Sequence, residues 1–423
     1  MSSKNNNVAI VFDDLTEFFV MRSAIDNLVK QKIPVDIIVP YDSGYNGLAE
    51  HTFDSIKKLG YSPIKDAVKN KTYKVLLTPY PCLEIINRLK FIYHLRYPYS
   101  AISAKPNPTY LPEWKISYDG VFTFNTYEPE FLQAYGTKYH VVPYWKYYNF
   151  KHETSNQQKT TLLILPTFGA DVNCIDLFND KAINDLKKHY HIISKAHHAT
   201  HFNSDNNDSF VKLQKLSDEF YDSDTAIVEL LQKADIVLSD NSGAIFEAIC
   251  IGIPVALFAK NLNERHLDAI DTLQYTLAQQ RIIPYTNKPS ELLSTLQSIK
   301  SYAKKQSALR EKLFLKINQH SVMSFVDIIK DYLTKDSSRD YYKIIHDLLI
   351  QKINHQDSTI TNLNHEIENK QQVINKLEAQ INEQNNFIND IYNSTSWKIT
   401  KPLRKLKKLN NKEGSKNDSS KKS

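Results

Sequence analysis

The sequence predicts an α/β protein: two successive Rossmann-like domains facing a cleft, followed by a coiled-coil helix and a basic amphipathic tail. Three observations carry this expectation. Short apolar runs alternate with helix-length segments twice over, a stretch without periodicity separates the two series, and beyond Asp340 an isoleucine recurs every seven residues. A chain of 423 residues is too long for one ordinary core, and 41% hydrophobic residues suffice to bury two.

The first domain is expected over residues 1–150. It opens with the strand VAIVF at Val8, a helix over about 19–31 and the strand VDIIVP. A helix over about 49–59 follows, then the strands KVLLTPY at Lys74, KFIYHL at Lys90 and GVFTF at Gly120. Strands that are apolar throughout imply a parallel sheet covered on both faces. Asp13 and Asp14 then follow the first strand and His94 follows KFIY, so each is a candidate base at the cleft or a polar residue that ends a strand.

From Tyr144 to Lys159 the pattern breaks into YWKYYNFKHETSNQQK, which places a domain boundary there. The alternation restarts in a second domain over 160–335. Its strands are TLLILP, HIISKA, DIVLS, PVALF and RIIPY, with helices near 182–189, 226–233 and from 243, and two more between 289 and 333. In an open parallel sheet, ligands bind beyond the carboxyl ends of the strands. Three loops qualify: Pro166-Thr167-Phe168-Gly169, Lys195-Ala196-His197-His198 and Ser239-Asp240-Asn241-Ser242-Gly243.

The last loop leads directly into a helix. Asp240, Asn241, Ser242, Gly243 and the N–H groups that follow form a site for a phosphate supported by the helix dipole, or a plain N-cap. Glu247, one turn on, is placed to accept hydrogen bonds from ribose hydroxyls. Lys195 and His197 suit neutralisation or protonation of a diphosphate leaving group. His201 adds a third imidazole, but HHxxH after a strand has no helical face and no partnering Cys, so no metal is expected. Asp222-Ser223-Asp224 has the spacing used by metal-dependent sugar transferases, yet it precedes a helix, where capping is the expected role. The chain has neither GxxxxGK[ST] nor GxGxxG, which argues against nucleotide hydrolysis and hydride transfer.

The segment LSDEFYDSDTAIVELLQKADIVLSDNSGAIFEAICIGIPVALF resembles the donor-binding half of the GT-B transferases. It is most similar to the CDP-glycerol glycerophosphotransferase family that builds teichoic-acid-type and capsular polymers. That family has Pro-Thr after the domain's first strand, Lys-x-His-Pro after the second, and an Asp-Tyr-Ser-Ser turn followed by an acid and a Lys-Pro step. Pro166-Thr167, Lys195 with His197, Asp240 with Ser242, and Ile253-Pro254 occupy those places. His198 stands for Pro, Asn241 for Tyr, Gly243 for the second Ser and Glu247 for Asp, while the first-domain His-Gly is replaced by His94-Leu95. Ser-Gly followed by Glu also resembles sugar-nucleotide GT-B enzymes and the non-hydrolysing UDP-N-acetylglucosamine epimerases.

The resemblance implies a bacterial GT-B-like, metal-independent transferase without cofactor. Its donor is CDP-glycerol or a nucleotide sugar, and its acceptor a lipid-linked or growing surface polysaccharide. A UDP-sugar epimerase of the same fold and a non-catalytic coiled-coil scaffold of a polysaccharide synthesis complex are the alternatives. In the transferase reading, Pro166, Thr167, Asp240, Asn241, Ser242, Gly243 and Glu247 hold the donor, and His197, Lys195, His94 and Asp14 carry the chemistry.

Beyond Asp340, Ile353, Ile360, Ile367, Ile374, Ile381 and Ile388 stand seven apart, with a second seam three residues after each. A sustained seven-residue period specifies a left-handed coiled coil over 341–393, and a homodimer or small oligomer is expected through 346–391. The formal net charge of +6 is not spread evenly. From Trp397 onward ten Lys or Arg face two acids, a surplus of eight, which leaves −2 for everything before. A polyanion-binding body is therefore not supported and no nucleic-acid partner is expected. The tail 394–423 contains SWKITKPLRKLKK, similar to the ends of many bacterial surface-polysaccharide transferases. Trp397, Lys398, Lys401, Leu403 and Arg404 are expected to touch an anionic membrane surface. Cys82, Cys174 and Cys250 have neither metal nor redox spacing, and MSSKNNNVAIVF lacks the regions of a signal peptide. The expected location is the cytoplasm, peripheral to the inner face of the cell membrane.

Overall fold

The computed structural model describes residues 7–40, 47–65, 71–80, 89–102, 117–133, 138–153, 158–167, 174–197, 207–222, 224–240, 242–260, 273–335, 367 and 369–400. The chain divides into two units, Met1–Leu348 and Leu349–Ser423, and each is described by itself.

The first unit holds two parallel sheets. The first sheet contains β1 (Val8–Val11), β2 (Val35–Val39), β3 (Ile64–Lys65), β4 (Thr72–Thr78), β5 (Lys90–Arg96), β6 (Gly120–Thr123) and β7 (Tyr139–Val141), in the order β3-β2-β1-β4-β5-β6-β7. The second contains β8 (Thr160–Leu165), β9 (Tyr190–Lys195), β10 (Glu219–Tyr221), β11 (Ile236–Ser239), β12 (Val255–Phe258) and β13 (Tyr285–Thr286), in the order β10-β9-β8-β11-β12-β13. In each sheet the chain winds outward from its first strand, then returns to that strand's other side. The reversals fall between β1 and β4 and between β8 and β11, where parallel sheets open a crevice at the strands' carboxyl ends.

The central strands are those that the apolar runs predicted. Every residue of β1, β11 and β12 is buried, as a strand covered on both faces requires. The edge strands β3, β7 and β10 were not predicted, because two or three residues of mixed polarity carry no apolar run. Helix α1 (Leu15–Lys30) starts four residues before the predicted start. Asp14 caps it, accepting the Glu17 N–H at 3.0 Å, and Leu15 and Phe18 are already core residues.

The chain also crosses between the sheets. Helix α2 (Leu48–Lys58) belongs to the first sheet, and α3 (Ile227–Lys233), α4 (Ala244–Ile251) and α5 (Ala303–Leu313) to the second. The last helix of this unit, α6 (Ser321–Thr334), was assigned to the second domain from its position in the sequence, but it packs on the first. Its Phe325 ring lies 4.9 Å from Phe122 and 4.8 Å from Trp145, its Tyr332 ring 5.1 Å from Tyr93, and Ile329 is fully buried. The chain reaches it past Thr126, whose N–H donates to the Leu313 carbonyl at 2.8 Å.

The aromatic start of the stretch predicted as a boundary is packed into the core. Tyr144, Trp145 and Tyr147 are buried, the Phe124 and Tyr144 rings stack at 4.1 Å, and the Trp145 indole N–H donates to the Val20 carbonyl at 2.8 Å. Aromatic side chains with a polar tip fill such a place because ring area and hydrogen bond are both satisfied.

In the second unit, residues 369–393 are helical, and a short helix α7 (Thr395–Ile399) follows, capped by Ser394, whose Oγ accepts the Trp397 N–H at 3.2 Å. The Tyr392 and Trp397 rings meet edge-on at 5.2 Å. Among the described residues no helix is long and apolar enough to cross a membrane.

Candidate functional site

The candidate site is built from the carboxyl ends of β8, β9 and β11. Parallel pairing in register brings Leu165 opposite Ser239, and the Ser239 hydroxyl donates to the Leu165 carbonyl, so the two strand ends are fixed to one another. Asp240, the next residue, is fully buried. Its carboxylate accepts the Thr167 N–H, at 2.9 Å and 3.0 Å from its two oxygens, and the Cys174 N–H at 3.0 Å. Burial pushes the Asp240 carboxyl up to about 7, against the pull of these N–H donors. Asp240 was expected to touch a phosphate. It instead ties the loop after β8 to the loop after β11, a positioning role. Pro166 is buried in that loop and Thr167 half-buried.

Helix α4 begins beside this brace. The Ser242 Oγ accepts the Ala244 N–H at 3.3 Å and the Ser242 carbonyl accepts from the Gln274 amide at 3.3 Å. Gly243, the N-cap, has no side chain to cap the helix and Ser242 takes up one N–H, so the backbone dipoles at this start favour an anion. A first-domain loop stands close by: a Cβ added at Gly243 would lie 3.7 Å from the Ser100 Oγ and 3.8 Å from the Ile102 carbonyl. Asn241, expected in this loop, lies outside the described residues, as do His198 and His201.

Lys195 is the last residue of β9, and His197 follows two residues later, half-buried. Burial pushes the Lys195 ammonium down to about 8. The Lys146 cation adds to that effect, while the Asp222, Asp224 and Asp14 carboxylates oppose it. Asp14 caps α1, just beyond the carboxyl end of β1.

Three expectations are corrected. Glu247 is not open to a ribose: it is 4% exposed, Tyr144 OH donates to Oε1 at 3.2 Å, and Oε2 receives Lys146 Nζ at 2.9 Å and the Tyr147 hydroxyl. His94 does not follow a strand but lies inside β5, which runs on to Arg96. It is 1% exposed, with Nδ1 2.9 Å from the Ser117 carbonyl and Nε2 2.8 Å from Thr78 Oγ1. Such a histidine fastens β5 to its neighbours. Asp222-Ser223-Asp224 is not the cap of α3, whose N-cap Ala226 makes no side-chain bond. Asp222 directly follows β10, and Asp224 Oδ2 lies 3.0 Å from Nε2 of His51 on α2, a contact between the domains.

Sequence reasoning missed Lys146, Tyr147, Glu17 and His51. Glu17 did carry a signal, since Asp14 followed three residues later by Glu17 is a helix-start pattern. Its Oε2 accepts the Asp13 N–H at 2.7 Å, and burial, with Asp14 and Asp13 beside it, holds its carboxyl well above the usual range.

No family model and no curated protein matches the chain. Solved structures do. A variant of the wall teichoic acid polymerase TagF soaked with CDPG superposes with a TM-score of 0.53 at 13% identity, over 78% of this chain and 89% of that one. TagF without that treatment gives 0.52 at 11% identity, over 79% and 91%. The fold is GT-B and TagF-like. In this GT-B arrangement the brace at Asp240, the start of α4 and Lys195 lie at the carboxyl edge of the second sheet, and Asp14, Glu17 and His51 belong to the first domain. A UDP-N-acetylglucosamine 2-epimerase from Listeria monocytogenes, described as putative, is also similar, at a TM-score of 0.49 and 10% identity over 79% of this chain and 99% of that one.

Proposed function

We propose that the protein is a GT-B transferase. It takes an activated group from a nucleotide-diphosphate donor and passes it to a lipid-linked or growing surface polysaccharide at the cytoplasmic face of the membrane. The observation that carries this reading is the convergence on one edge: Asp240 gathers the Thr167 loop against the start of α4, whose Gly243 stands beside Ser100 and Ile102 of the first domain, and Lys195 ends the neighbouring strand β9.

The chemistry follows from these groups. The donor diphosphate lies against the N-terminal turn of α4, at Ser242 and Gly243, where backbone dipoles favour negative charge. Lys195 neutralises the charge that grows on the leaving phosphate, and His197 donates a proton to it or orients it. Asp14, which follows the first strand of the first domain, accepts the proton of the acceptor hydroxyl. His94 is too enclosed for that task. For glycerol phosphate transfer the same cations stabilise charge on the equatorial oxygens of an in-line transition state. For sugar transfer they hold the departing diphosphate.

TagF is a wall teichoic acid polymerase that was soaked with CDPG, so CDP-glycerol is the first donor to try and UDP-, GDP- and CMP-sugars the next. Incubation of each donor with a lipid-linked acceptor, read by mass spectrometry, tests the proposal. Transfer yields free nucleotide and an acceptor of increased mass. An isomerised donor without acceptor would reveal an epimerase, and no turnover of any donor a scaffold. The basic stretch at Trp397 and Lys398, on α7 after the long helix, supports placing the enzyme at an anionic membrane surface. Lys401, Leu403 and Arg404 lie outside the described residues.

A further inference from the structure

The helix over residues 369–393 carries its apolar side chains in one register. Ile367, Ile374, Ile381 and Ile388 stand seven apart, Leu377 and Ile391 lie three residues after two of them, and all six are between 39% and 63% exposed in the single chain. A solvated helix gains nothing from such a stripe. A strict seven-residue period instead keeps one seam facing a partner that supercoils with it.

We infer that residues 367–392 pair with the same segment of a second copy, parallel and in register, as a two-stranded coiled coil. The occupant is argued from the seam itself. Ile throughout one row with Leu377 in the other favours two parallel strands, whereas Ile391 in that second row would by itself favour more. The flanking positions, among them Gln371, Glu378, Gln380 and Asn385, carry a single charge in all, so they neither repel an identical helix nor select a different one. Lys370 and Gln384 interrupt the second row. Lys370 can carry its ammonium out along its stem, and polar seam residues fix register at a cost in stability.

Parallel alignment has a further consequence at the carboxyl end. Phe387, which is also exposed, then flanks the seam beside Tyr392 of the second copy, and Tyr392 already meets Trp397 of its own chain. Two aromatic clusters and two α7 helices thereby leave the same end of the coil. This inference does not depend on the catalytic reading.

Sedimentation equilibrium of the full chain tests it. A dimer is expected, and Ile374→Lys with Ile381→Lys should give a monomer whose thermal unfolding of the first unit is unchanged, because both residues are exposed. Orientation is read by disulfide formation with diamide in a Cys82→Ser background, Cys174 and Cys250 being buried. Chains carrying Ile391→Cys should link to one another. A monomeric wild type, a trimeric mass, or linking that occurs only when Ile391→Cys chains are mixed with Ile367→Cys chains would each overturn the proposal.

Discussion

Lys146 and Glu247 form an ion pair buried between the two sheets: Nζ lies 2.9 Å from Oε2, and the side chains are 3% and 5% exposed. Lys146 belongs to the aromatic stretch after β7 and Glu247 to α4, so the helix whose start faces the proposed donor is clamped in its middle to the connection between the domains. The hydroxyls of Tyr144 and Tyr147 complete the carboxylate's partners.

Removing one member of such a pair leaves the other charged and buried, which costs about 3–5 kcal/mol, whereas replacing both by apolar groups of similar size is often neutral. Lys146→Met should therefore lower the unfolding free energy by about that amount, and adding Glu247→Leu should restore most of it. Chemical denaturation of both variants measures this. Equal losses in the single and double variants would deny the coupling.

Asp240 should make stability depend on pH. Its folded pKa of about 7 lies above that of the unfolded chain, so the native state binds the extra proton between those values. The contribution is greatest below the usual carboxylate range and declines as the pH rises through about 7. Unfolding free energies of the wild type and Asp240→Asn, compared from pH 4 to 8, should converge or cross in that direction. A difference that grows with pH would mean that the N–H donors outweigh burial.

Lys195 should set the alkaline limb of the rate profile. With its ammonium near 8, kcat/KM for an anionic donor should fall as the pH rises through that value, because the free enzyme loses the cation. Lys195→Arg, which stays charged, should move the alkaline limb upward, and Lys195→Ala should cut kcat about 100-fold or more. An unchanged alkaline limb in Lys195→Arg would assign it to another group.

The tail should bind anionic vesicles in a salt-dependent way. Each Lys or Arg near such a surface contributes about 1 kcal/mol, and the Trp397 ring adds interfacial burial. Flotation of the full chain with phosphatidylglycerol vesicles should weaken on Trp397→Ala with Lys398→Ala and be lost at high salt. Equal flotation with neutral vesicles would refute the electrostatic part.

The sheets were legible because a buried parallel strand leaves a continuous apolar run, as VAIV and VALF do. The three loops of the second domain were legible for the same reason, since each begins where such a run ends. What escaped was long-range or marginal. Glu247 finds its partners about 100 residues earlier, and nothing local to AIFEAI announces them. His94 follows the apolar KFIY in sequence, but β5 runs on to Arg96 and its neighbours enclose the ring, which no local pattern announces. β10 is three residues long, so Asp222 was read only as preceding a helix when it also directly follows a strand. The position of α6 on the first sheet depends on packing around Phe325 and Tyr332, which periodicity cannot assign to one sheet or the other.

The most direct measurement is donor turnover by the intact protein in the presence of a lipid-linked acceptor. Mass spectrometry should show one nucleotide-diphosphate donor consumed, its nucleotide released and the acceptor's mass increased by the transferred group. His197→Ala, folded as the wild type by circular dichroism, should abolish all three signals. A wild-type protein that leaves every such donor intact, or a His197→Ala variant with undiminished transfer, would contradict a transferase centred on this edge of the second sheet.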